Sequence, residues 1–292
     1  MSEQLYREIF AAAGKIKYKR CVVTLVDNAD QVSTIMDAER QGFISPIFVG
    51  QRKIAGMGDF IKTRTLHEAM EVSNKLFADG EVEMIIQGNE NRKQFLSYFM
   101  HAAGLQGSIT YATAFFDHEK GRTSFAIDPL VAVKPTLEHK IDQVNALIPL
   151  LSHIFTRRKI YGAALAPIET VNPKIPSTIT AAVLAQMSRR RQFGPRVVIH
   201  GPLDVDCALS QVAASRKGVS DNQSGNYDFY VLPDTNSAYF FSTFLKYIGR
   251  IPTIGVLLDG NNSLVLNSGP LTAEQRLAEI ALAVIANEVA KS

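Results

Sequence analysis

The sequence predicts a doubly wound α/β fold. Short apolar runs alternate with longer segments in which apolar residues recur every three or four positions, as strands and helices do around a parallel sheet. The 292 residues are enough for one large or two medium domains. Hydrophobic residues make up 46% of the chain and charged residues 20%, which is typical of a globular protein with a full core.

In the N-terminal half, the apolar run at residues 21–26 predicts a buried strand, and the periodic segment at 32–41 predicts a helix ended by Gly42. A strand–helix–strand order favours a parallel pair with a right-handed crossover. Further helices are predicted at 5–13, 66–77 and 92–103, and further strands at 46–49, 82–86, 109–116 and 123–127, the last two joined by a turn at 117–121.

In the C-terminal half, the run Pro-Thr-Leu-Glu at 135–138 begins a long predicted helix that continues to about residue 155. Shorter elements follow, and the chain ends on a predicted helix at 271–291. The other predicted helices of this half cover 179–187, 208–216 and 237–247, and the predicted strands cover 197–199, 229–232, 253–258 and 264–266.

A proline-containing loop lies between two of these elements, with the sequence V-N-P-K-I-P-S-T at 171–178. Pro173 and Pro176 disfavour a helix there, because each lacks an N–H and has a fixed φ. Asn172 and Lys174 are therefore expected on a stiff loop, and Ser177 or Thr178 can cap the helix that follows. Such loops form ligand sites in α/β folds, but an ordinary connection that happens to hold a lysine fits the spacing as well.

V-N-P-K-I-P-S-T, followed by A-A-V-L-A-Q-M and G-P-L-D-V-D-C-A-L-S, resembles the phosphate butyryltransferase branch of the phosphate acetyl/butyryl transferase family. The likeness extends more thinly along nearly the whole chain. It implies two doubly wound α/β domains, as in isocitrate and isopropylmalate dehydrogenases, with a cleft between them. The first domain would comprise residues 1–140 and 268–292, and the second residues 141–267.

The resemblance also implies a reaction in which acyl-CoA and phosphate give acyl phosphate and CoA, with a short or branched acyl chain. Coenzyme A is then a substrate, no cofactor is bound permanently, and the protein is a homodimer. Such chemistry needs a cationic pocket for phosphate, a base near the CoA thiol and donors for the tetrahedral oxyanion.

Several residues match the motifs of the family. Lys174 offers a point charge for phosphate, with Asn172, Ser177 and Thr178 as neighbouring donors. Asp206 matches the acid of G-P-L-x-x-D, although a helix N-cap is an equal alternative. Gly225 and Asn226 match A-G-N-A-D, a loop that can approach a nucleotide closely, although a plain loop is as good an interpretation.

Ser268 matches the serine of the family motif T-S-R-A-D-S, which orients the reacting groups, and Glu274 falls where the family has an acid. The arginine that binds phosphate is replaced by Gly269, and Pro270 is expected to hold residue 269 in extended geometry. Gln87 likewise stands where the family has the lysine of M-K-G. Arg122, Lys134, Arg157 and Arg216 are candidate substitutes. Gly269 therefore supports a rival interpretation, a catalytically impaired sensor or partner subunit that binds CoA or acyl phosphate.

Composition argues against other functions. The net charge of +3 is too small to indicate a nucleic-acid partner, and no run approaches the roughly 20 apolar residues of a membrane span. The six histidines are scattered, so no metal site is expected. Two cysteines in apolar surroundings indicate a reducing compartment, and we expect the cytoplasm. The sequence has no G-x-G-x-x-G motif after a strand, which argues against a dehydrogenase, and nothing supports a purely scaffolding subunit.

Overall fold

The computed structural model describes residues 3–102, 109–117, 121–130, 134–156, 158–219, 223–269 and 271–291. In chain order the elements are α1 (Glu3–Ala13), β1 (Lys19–Thr24), α2 (Ala29–Arg40), β2 (Ile44–Gly50), β3 (Asp59–Lys62), α3 (Leu66–Ala78), β4 (Met84–Ile86), α4 (Arg92–Ala102), β5 (Thr110–Asp117), β6 (Arg122–Ile127), α5 (Leu137–Ile154), β7 (Ile160–Leu165), α6 (Pro176–Arg189), β8 (Val197–Leu203), α7 (Val205–Leu209), α8 (Gln211–Arg216), β9 (Phe229–Val231), α9 (Thr235–Tyr247), β10 (Thr253–Leu258), β11 (Leu264–Val265) and α10 (Ala273–Ala290).

The chain forms two compact units. One comprises residues 6–107 and 254–292 and is called the terminal unit here; the other comprises residues 108–253 together with 1–5 and is called the central unit. The divisions at 107 and 253 differ from the expected ones at 140 and 267. The first division lies at 107 because β6 pairs with β9 and β5 pairs with β6, so both strands belong to the central sheet.

The terminal unit contains a five-stranded sheet in the order β11-β4-β1-β2-β3. Its strand pairs are parallel, so the carboxyl ends of its strands share one edge. The helix α10 packs against α2 and is buried almost all round between Leu277 and Asn287. Lys19 on β1 is also buried, and its Nζ lies 2.5 Å from Glu288 Oε2 near the end of α10.

In the central unit the strands β5-β6-β9-β7-β8 are neighbours in that order. The pair β5–β6 is antiparallel, whereas β6–β9, β9–β7 and β7–β8 are parallel. This alternation of strands and helices in both units confirms the predicted α/β class. None of the helices in the described part of the chain is long and apolar enough to cross a membrane.

The sequence did not predict two of the strands. Strand β3 is short, lies at a sheet edge and has no buried residue, so it lacks an apolar pattern. Strand β7 is nearly all buried but reads Ile-Tyr-Gly-Ala-Ala-Leu, and glycine and alanine are poor strand formers.

Two predicted helix caps were wrong. Helix α6 begins at Pro176 after the N-cap Ile175, which makes no side-chain cap bond, because proline suits the first helical position. Asp204, and not Asp206, caps α7 by accepting from Cys207 N. The predicted turn at 117–121 lies partly, and the candidate Arg157 and Pro270 lie wholly, outside the described residues.

Candidate active site

Three loops meet at the carboxyl edge of the terminal sheet. They follow β1 after Thr24, β4 after Ile86 and β11 after Val265, and these strands are adjacent and parallel. Ser268 lies in the third loop and is half-buried. Ligands of open α/β sheets bind outside this edge, so the position fits a catalytic serine.

The loop that carries Ser268 is held from two sides through Asn267. The backbone N–H of Asn267 donates to Gln87 Oε1 at 2.9 Å, and its carbonyl oxygen accepts from Arg92 Nη2 at 2.6 Å. Gln87 stands where the family has a lysine, and its Nε2 also donates to the Glu90 carbonyl at 2.8 Å. The amide of Gln87 therefore bridges two loops, which a lysine side chain, having no acceptor, could not do.

Arg276 binds backbone carbonyls of two strand ends at the same sheet edge. Its Nη1 donates to the Leu266 carbonyl at 2.7 Å and contacts Glu279 Oε2 at 2.5 Å, while its Nη2 donates to the Gln87 carbonyl at 2.8 Å. The side chain of Arg276 is 13% exposed and that of Glu279 is 1% exposed. Both terminal nitrogens of Arg276 are thus used in contacts that hold the start of the Ser268 loop.

Glu90 is a buried acid beside this network. Its carboxyl group hydrogen-bonds the hydroxyl of Thr24, and burial raises the pKa of Glu90 to about 7 although Thr24 and Arg276 oppose the shift. Its Oε2 has no hydrogen-bond partner among the described residues. The neighbouring Gly88 packs directly on β1, where a Cβ would lie 1.7 Å from the Thr24 carbonyl oxygen.

Gly269 does not have the extended geometry expected of a residue before proline. Its φ is +117°, a region that side chains with a Cβ rarely adopt. Its N–H donates to Asn267 Oδ1 at 3.3 Å, so that donor is already used within the loop. Glu274 lies further on, exposed in the first turn of α10, after the N-cap Thr272.

In the central unit, residues 172–178 end the connection from β7 and form the first turn of α6, and their own polar groups shape this loop. Asn172 Oδ1 accepts from Lys174 N at 2.9 Å, and Asn172 N donates to Thr178 Oγ1 at 2.9 Å. Thr178 is fully buried, and its hydroxyl lies 2.7 Å from the Ile175 carbonyl oxygen. Asn172 and Thr178 therefore fix the loop, and Lys174 is left exposed, with no ion pair to another described residue.

Ser177 lines a small cavity behind this loop together with Lys140 and Thr180, and its volume is about 10 Å³, the size of one water. Lys140 is buried and donates to the Leu232 carbonyl at 2.5 Å. Burial lowers the pKa of Lys140 to about 8, against the attraction of Asp234 and Asp128.

Asp206 follows β8 and therefore lies at the same edge of the central sheet as residues 172–178. It belongs to a cluster with Glu169, Asp204 and Cys207, whose possible ligand atoms lie within 4.8 Å of one another. Lys217 occupies this cluster: its Nζ lies 3.1 Å from Glu169 Oε1 and 2.9 Å from Asp206 Oδ1, and it also contacts Asp204. Hydrogen bonds to Asp204 and Asp206 raise the pKa of Lys217, so an ammonium group holds the place that a metal ion would need.

Asn226 and Gly225 precede β9, so they lie toward its amino end. Since β9 is parallel to β7, the structure does not bring Asn226 to the edge where residues 172–178 lie. The Asn226 carbonyl accepts from Arg122 Nη2 at 2.9 Å, and Gly225 N donates to the Ala208 carbonyl at 2.9 Å with φ +76°. Both residues support a connecting loop here.

The family model described as phosphate acetyl/butaryl transferase matches residues 9–284. The chain belongs to the phosphate acetyl/butyryl transferase family. This confirms the resemblance drawn from the motifs and the assignment to a family of phosphate acyltransferases.

Curated relatives of this family are similar over nearly the full chain. A phosphate acetyltransferase of Rickettsia felis is 29% identical over 94% of this chain and 82% of its own length. A phosphate butyryltransferase of Clostridium acetobutylicum is 29% identical over 96% of this chain and 97% of its own length. At this identity the chain is a diverged member of the family.

Solved structures support the fold. The chain superimposes on a branched-chain phosphotransacylase from Enterococcus faecalis V583 with a TM-score of 0.74 and 16% identity, over 92% of this chain and 99% of the other. A phosphotransacetylase from Streptococcus pyogenes gives a TM-score of 0.76 and 14% identity, over 98% and 99% of the two chains. At these identities the similarity establishes the α/β fold alone.

The sequence motifs pointed to Ser268 but not to the residues that hold its loop. Arg92 and Arg276 matched no motif, and Gln87 was visible only as a departure from the family lysine. Their common signal is that each follows a strand or begins a helix at the same sheet edge. That signal can be read only once the order of the strands is known.

Proposed function

We propose that this chain transfers an acyl group between coenzyme A and inorganic phosphate, with a short or branched acyl chain as substrate. A phosphate oxygen attacks the thioester carbonyl carbon, and the tetrahedral intermediate collapses with cleavage of the C–S bond. The proton released by phosphate ends on the sulfur, so acyl-CoA and hydrogen phosphate give acyl phosphate and free CoA. Coenzyme A is a substrate, and the reaction requires no bound cofactor.

The observation that carries this proposal is the family match over residues 9–284, together with the half-buried Ser268 at the carboxyl edge of a parallel sheet. The hydroxyl of Ser268 can donate to the developing oxyanion or to the departing sulfur. Glu274 is proposed as the general acid–base group that transfers the proton to or from the CoA thiol. The rigid hold on Asn267 fixes the position of Ser268 before substrate binds.

The loop at 172–178 is proposed to contribute the substrate contacts of the central unit. Lys174 has an exposed ammonium on a loop stiffened by two prolines and by the hydrogen bonds of Asn172 and Thr178. A preorganised cation loses little entropy when it binds a phosphate group. Ser177 lies three residues further along the chain, and Asp206, held by Lys217, borders the same sheet edge.

We further propose a cytoplasmic homodimer. Cys21 and Cys207 are free and buried, as in proteins of reducing compartments. Helix α9 exposes four aromatic side chains, each 54–56% exposed: Tyr239, Phe240, Phe244 and Tyr247. The only charged residue of α9 is Lys246. Half-exposed aromatic rings offer roughly 100 Å² each, so these four supply about half of the roughly 800 Å² that each partner of a standard interface buries. A mainly apolar face, with one charge where Lys246 Nζ lies 5.7 Å from the centre of the Tyr247 ring, suits a second copy of itself across a two-fold axis.

A rival function is that of a sensor which binds CoA or acyl phosphate without turnover. Gly269 favours it, because the family arginine is missing at this position. A lost bidentate phosphate contact is worth about 2–4 kcal/mol of transition-state stabilisation, or two to three orders of magnitude in rate. Binding and turnover therefore have to be measured separately.

Thiol release with phosphate and a panel of acyl-CoAs, from acetyl to branched five-carbon chains, tests the proposal. We expect turnover with at least one of them, and we expect Lys174→Ala to raise the KM for phosphate more than tenfold while the fold is kept. CoA binding measured by calorimetry runs in parallel. Binding without turnover on any acyl-CoA would establish the sensor, and an unchanged KM in Lys174→Ala would remove Lys174 from the site.

A further inference from the structure

The Ser268 loop contains no cationic side chain of its own at the position where the family carries arginine. Gly269 contributes only a backbone N–H, and that group already donates to Asn267 Oδ1. The positive φ of Gly269 also disfavours any side chain there. If phosphate binds beside Ser268, its charge has to be met by a residue from another element.

Arg92 is placed where its guanidinium group can neutralise the charge of a phosphate beside Ser268. Its Nη2 donates to the carbonyl oxygen of Asn267 at 2.6 Å, and that carbonyl carbon is bonded directly to the nitrogen of Ser268. The guanidinium group therefore lies one peptide unit from the proposed catalytic residue. Arg92 is the first residue of α4, an eleven-residue helix, and its side chain is only partly buried.

The hydrogen-bonding capacity of Arg92 is largely unused. A guanidinium group carries five N–H donors in a planar fork, and the bond to Asn267 uses one of them. The Nε of Arg92 has no hydrogen-bond partner among the described residues. Arg276 at the same edge is different, because both of its terminal nitrogens bind the scaffold carbonyls and it is almost buried.

We propose that Arg92 binds the phosphate group beside Ser268, in the role of the arginine that Gly269 replaces. This inference rests on the proposed function. The Asn267 carbonyl accepts from one N–H of Nη2, and Nε is buried, which leaves Nη1 and the second N–H of Nη2 to bind two phosphate oxygens. The amino end of α4 adds a partial positive charge to the same place. The neighbouring acid, Glu90, does not cancel this charge fully near neutral pH, since burial raises the pKa of Glu90 to about 7.

Binding of inorganic phosphate to the full-length protein, measured by calorimetry, tests the assignment with Arg92→Gln, Arg92→Lys and Lys93→Gln. Arg92→Gln removes the charge and shortens the side chain, so the Nη2 contact with the Asn267 carbonyl is lost as well. Arg92→Lys keeps a charged donor, so phosphate binding that lysine partly restores reports the charge. Lys93 is exposed on the next position of α4, and Lys93→Gln makes the same change in net charge. We expect Arg92→Gln to raise the Kd for phosphate at least tenfold. The Kd of Arg92→Lys should lie between those of Arg92→Gln and the wild-type protein. The Kd of Lys93→Gln should stay within about twofold of the wild-type value.

Kinetics separate this inference from the proposed function. If turnover occurs, Arg92→Gln should raise the KM for phosphate and leave that for acyl-CoA nearly unchanged, whereas a merely structural role would move both or neither. Phosphate binding that depends on Arg92 in a protein without turnover supports the site and defeats the catalytic proposal. Unweakened phosphate binding in Arg92→Gln, an equal loss in Lys93→Gln, or no phosphate binding by the wild-type protein would each overturn the assignment.

Discussion

At the scale of single residues, the candidate site depends on polar groups that the fold has placed in unusual surroundings. Gln87 replaces a lysine and uses both ends of its amide, one on Asn267 and one on Glu90. Glu90 itself is buried next to Thr24 and Arg276. A carboxyl group taken out of water in this way favours its neutral form, and this has a measurable consequence for stability.

Glu90→Gln should flatten the dependence of stability on pH. Burial raises the pKa of Glu90 from 4.5 to about 7, so the folded state holds a proton that the unfolded state releases between these values. The stability that the neutral carboxyl group confers is therefore fully present below the pKa of Glu90 in the unfolded chain. It is lost as the pH rises through the pKa of Glu90 in the folded protein. Between about pH 5 and about pH 8, the wild-type protein should lose on the order of 3 kcal/mol more unfolding free energy than Glu90→Gln.

Urea unfolding at the two pH values measures this difference. Glu81→Gln, an exposed glutamate of the same unit, serves as the control and should follow the wild-type profile. Parallel pH profiles of Glu90→Gln and the wild-type protein would show that folding does not raise the pKa of Glu90, and would contradict this prediction.

At the scale of elements, a buried carboxylate joins the amino ends of three strands in the central unit. Asp228, immediately before β9, is fully buried and accepts from Arg158 at 2.8 and 3.0 Å. It also accepts from Tyr161 N on β7 at 2.9 Å and pairs with Arg122 on β6 at 3.0 Å. The carboxylate thus has donors on both oxygens, which is the condition under which a buried charge is tolerated.

Asp228→Asn should destabilise the central unit strongly. The amide cannot compensate the charges of Arg122 and Arg158, and breaking a buried ion pair by changing one partner costs about 3–5 kcal/mol. Chemical denaturation with an unfolding probe in the central unit measures the loss. Asp37→Asn is the matched control, because Asp37 pairs with Arg40 at the surface and should cost less than about 1 kcal/mol. A loss in Asp228→Asn no larger than that of the control would contradict the structural role of this ion pair.

At the scale of the whole molecule, the proposed homodimer can be tested through the exposed aromatic residues of α9. The aromatic face of α9 is an exposed apolar patch with a single charged residue, Lys246, and patches of this kind often mark interaction sites. The chain carries only a small net charge of +3, so repulsion between copies is weak. A two-fold contact through α9 would remove this apolar area from water.

The double substitution Phe240→Glu with Phe244→Glu should convert the proposed dimer into a monomer at micromolar concentration. Two carboxylates on each copy would face each other across the interface and could not be buried unpaired. Sedimentation velocity measures the shift. Val212→Glu is the control, because Val212 is 62% exposed on α8 and its substitution should leave the dimer intact. A wild-type monomer, or a double variant that stays dimeric, would exclude α9 as the interface.

The sequence by itself determined the α/β class, most helices and the family, because these depend on local signals. Apolar periodicity, the glycine after α2 and the prolines around Lys174 act over a few residues and can be read directly. The motif that contains Ser268 is equally local, and the catalytic role of Ser268 stays a prediction. Weak local signals failed, as they did for β3, β7 and the start of α6.

The tertiary structure alone decided what surrounds the site residues. Arg92 and Gln87 reach Asn267 across 175 and 180 positions of the chain, and they do so because β11 pairs with β4. Likewise, the parallel pairing of β9 and β7 separates Asn226 from residues 172–178, although a family motif suggested a common site. Strand order is fixed by how whole elements bury their apolar faces together, so no short stretch of sequence records which loops will meet at one sheet edge.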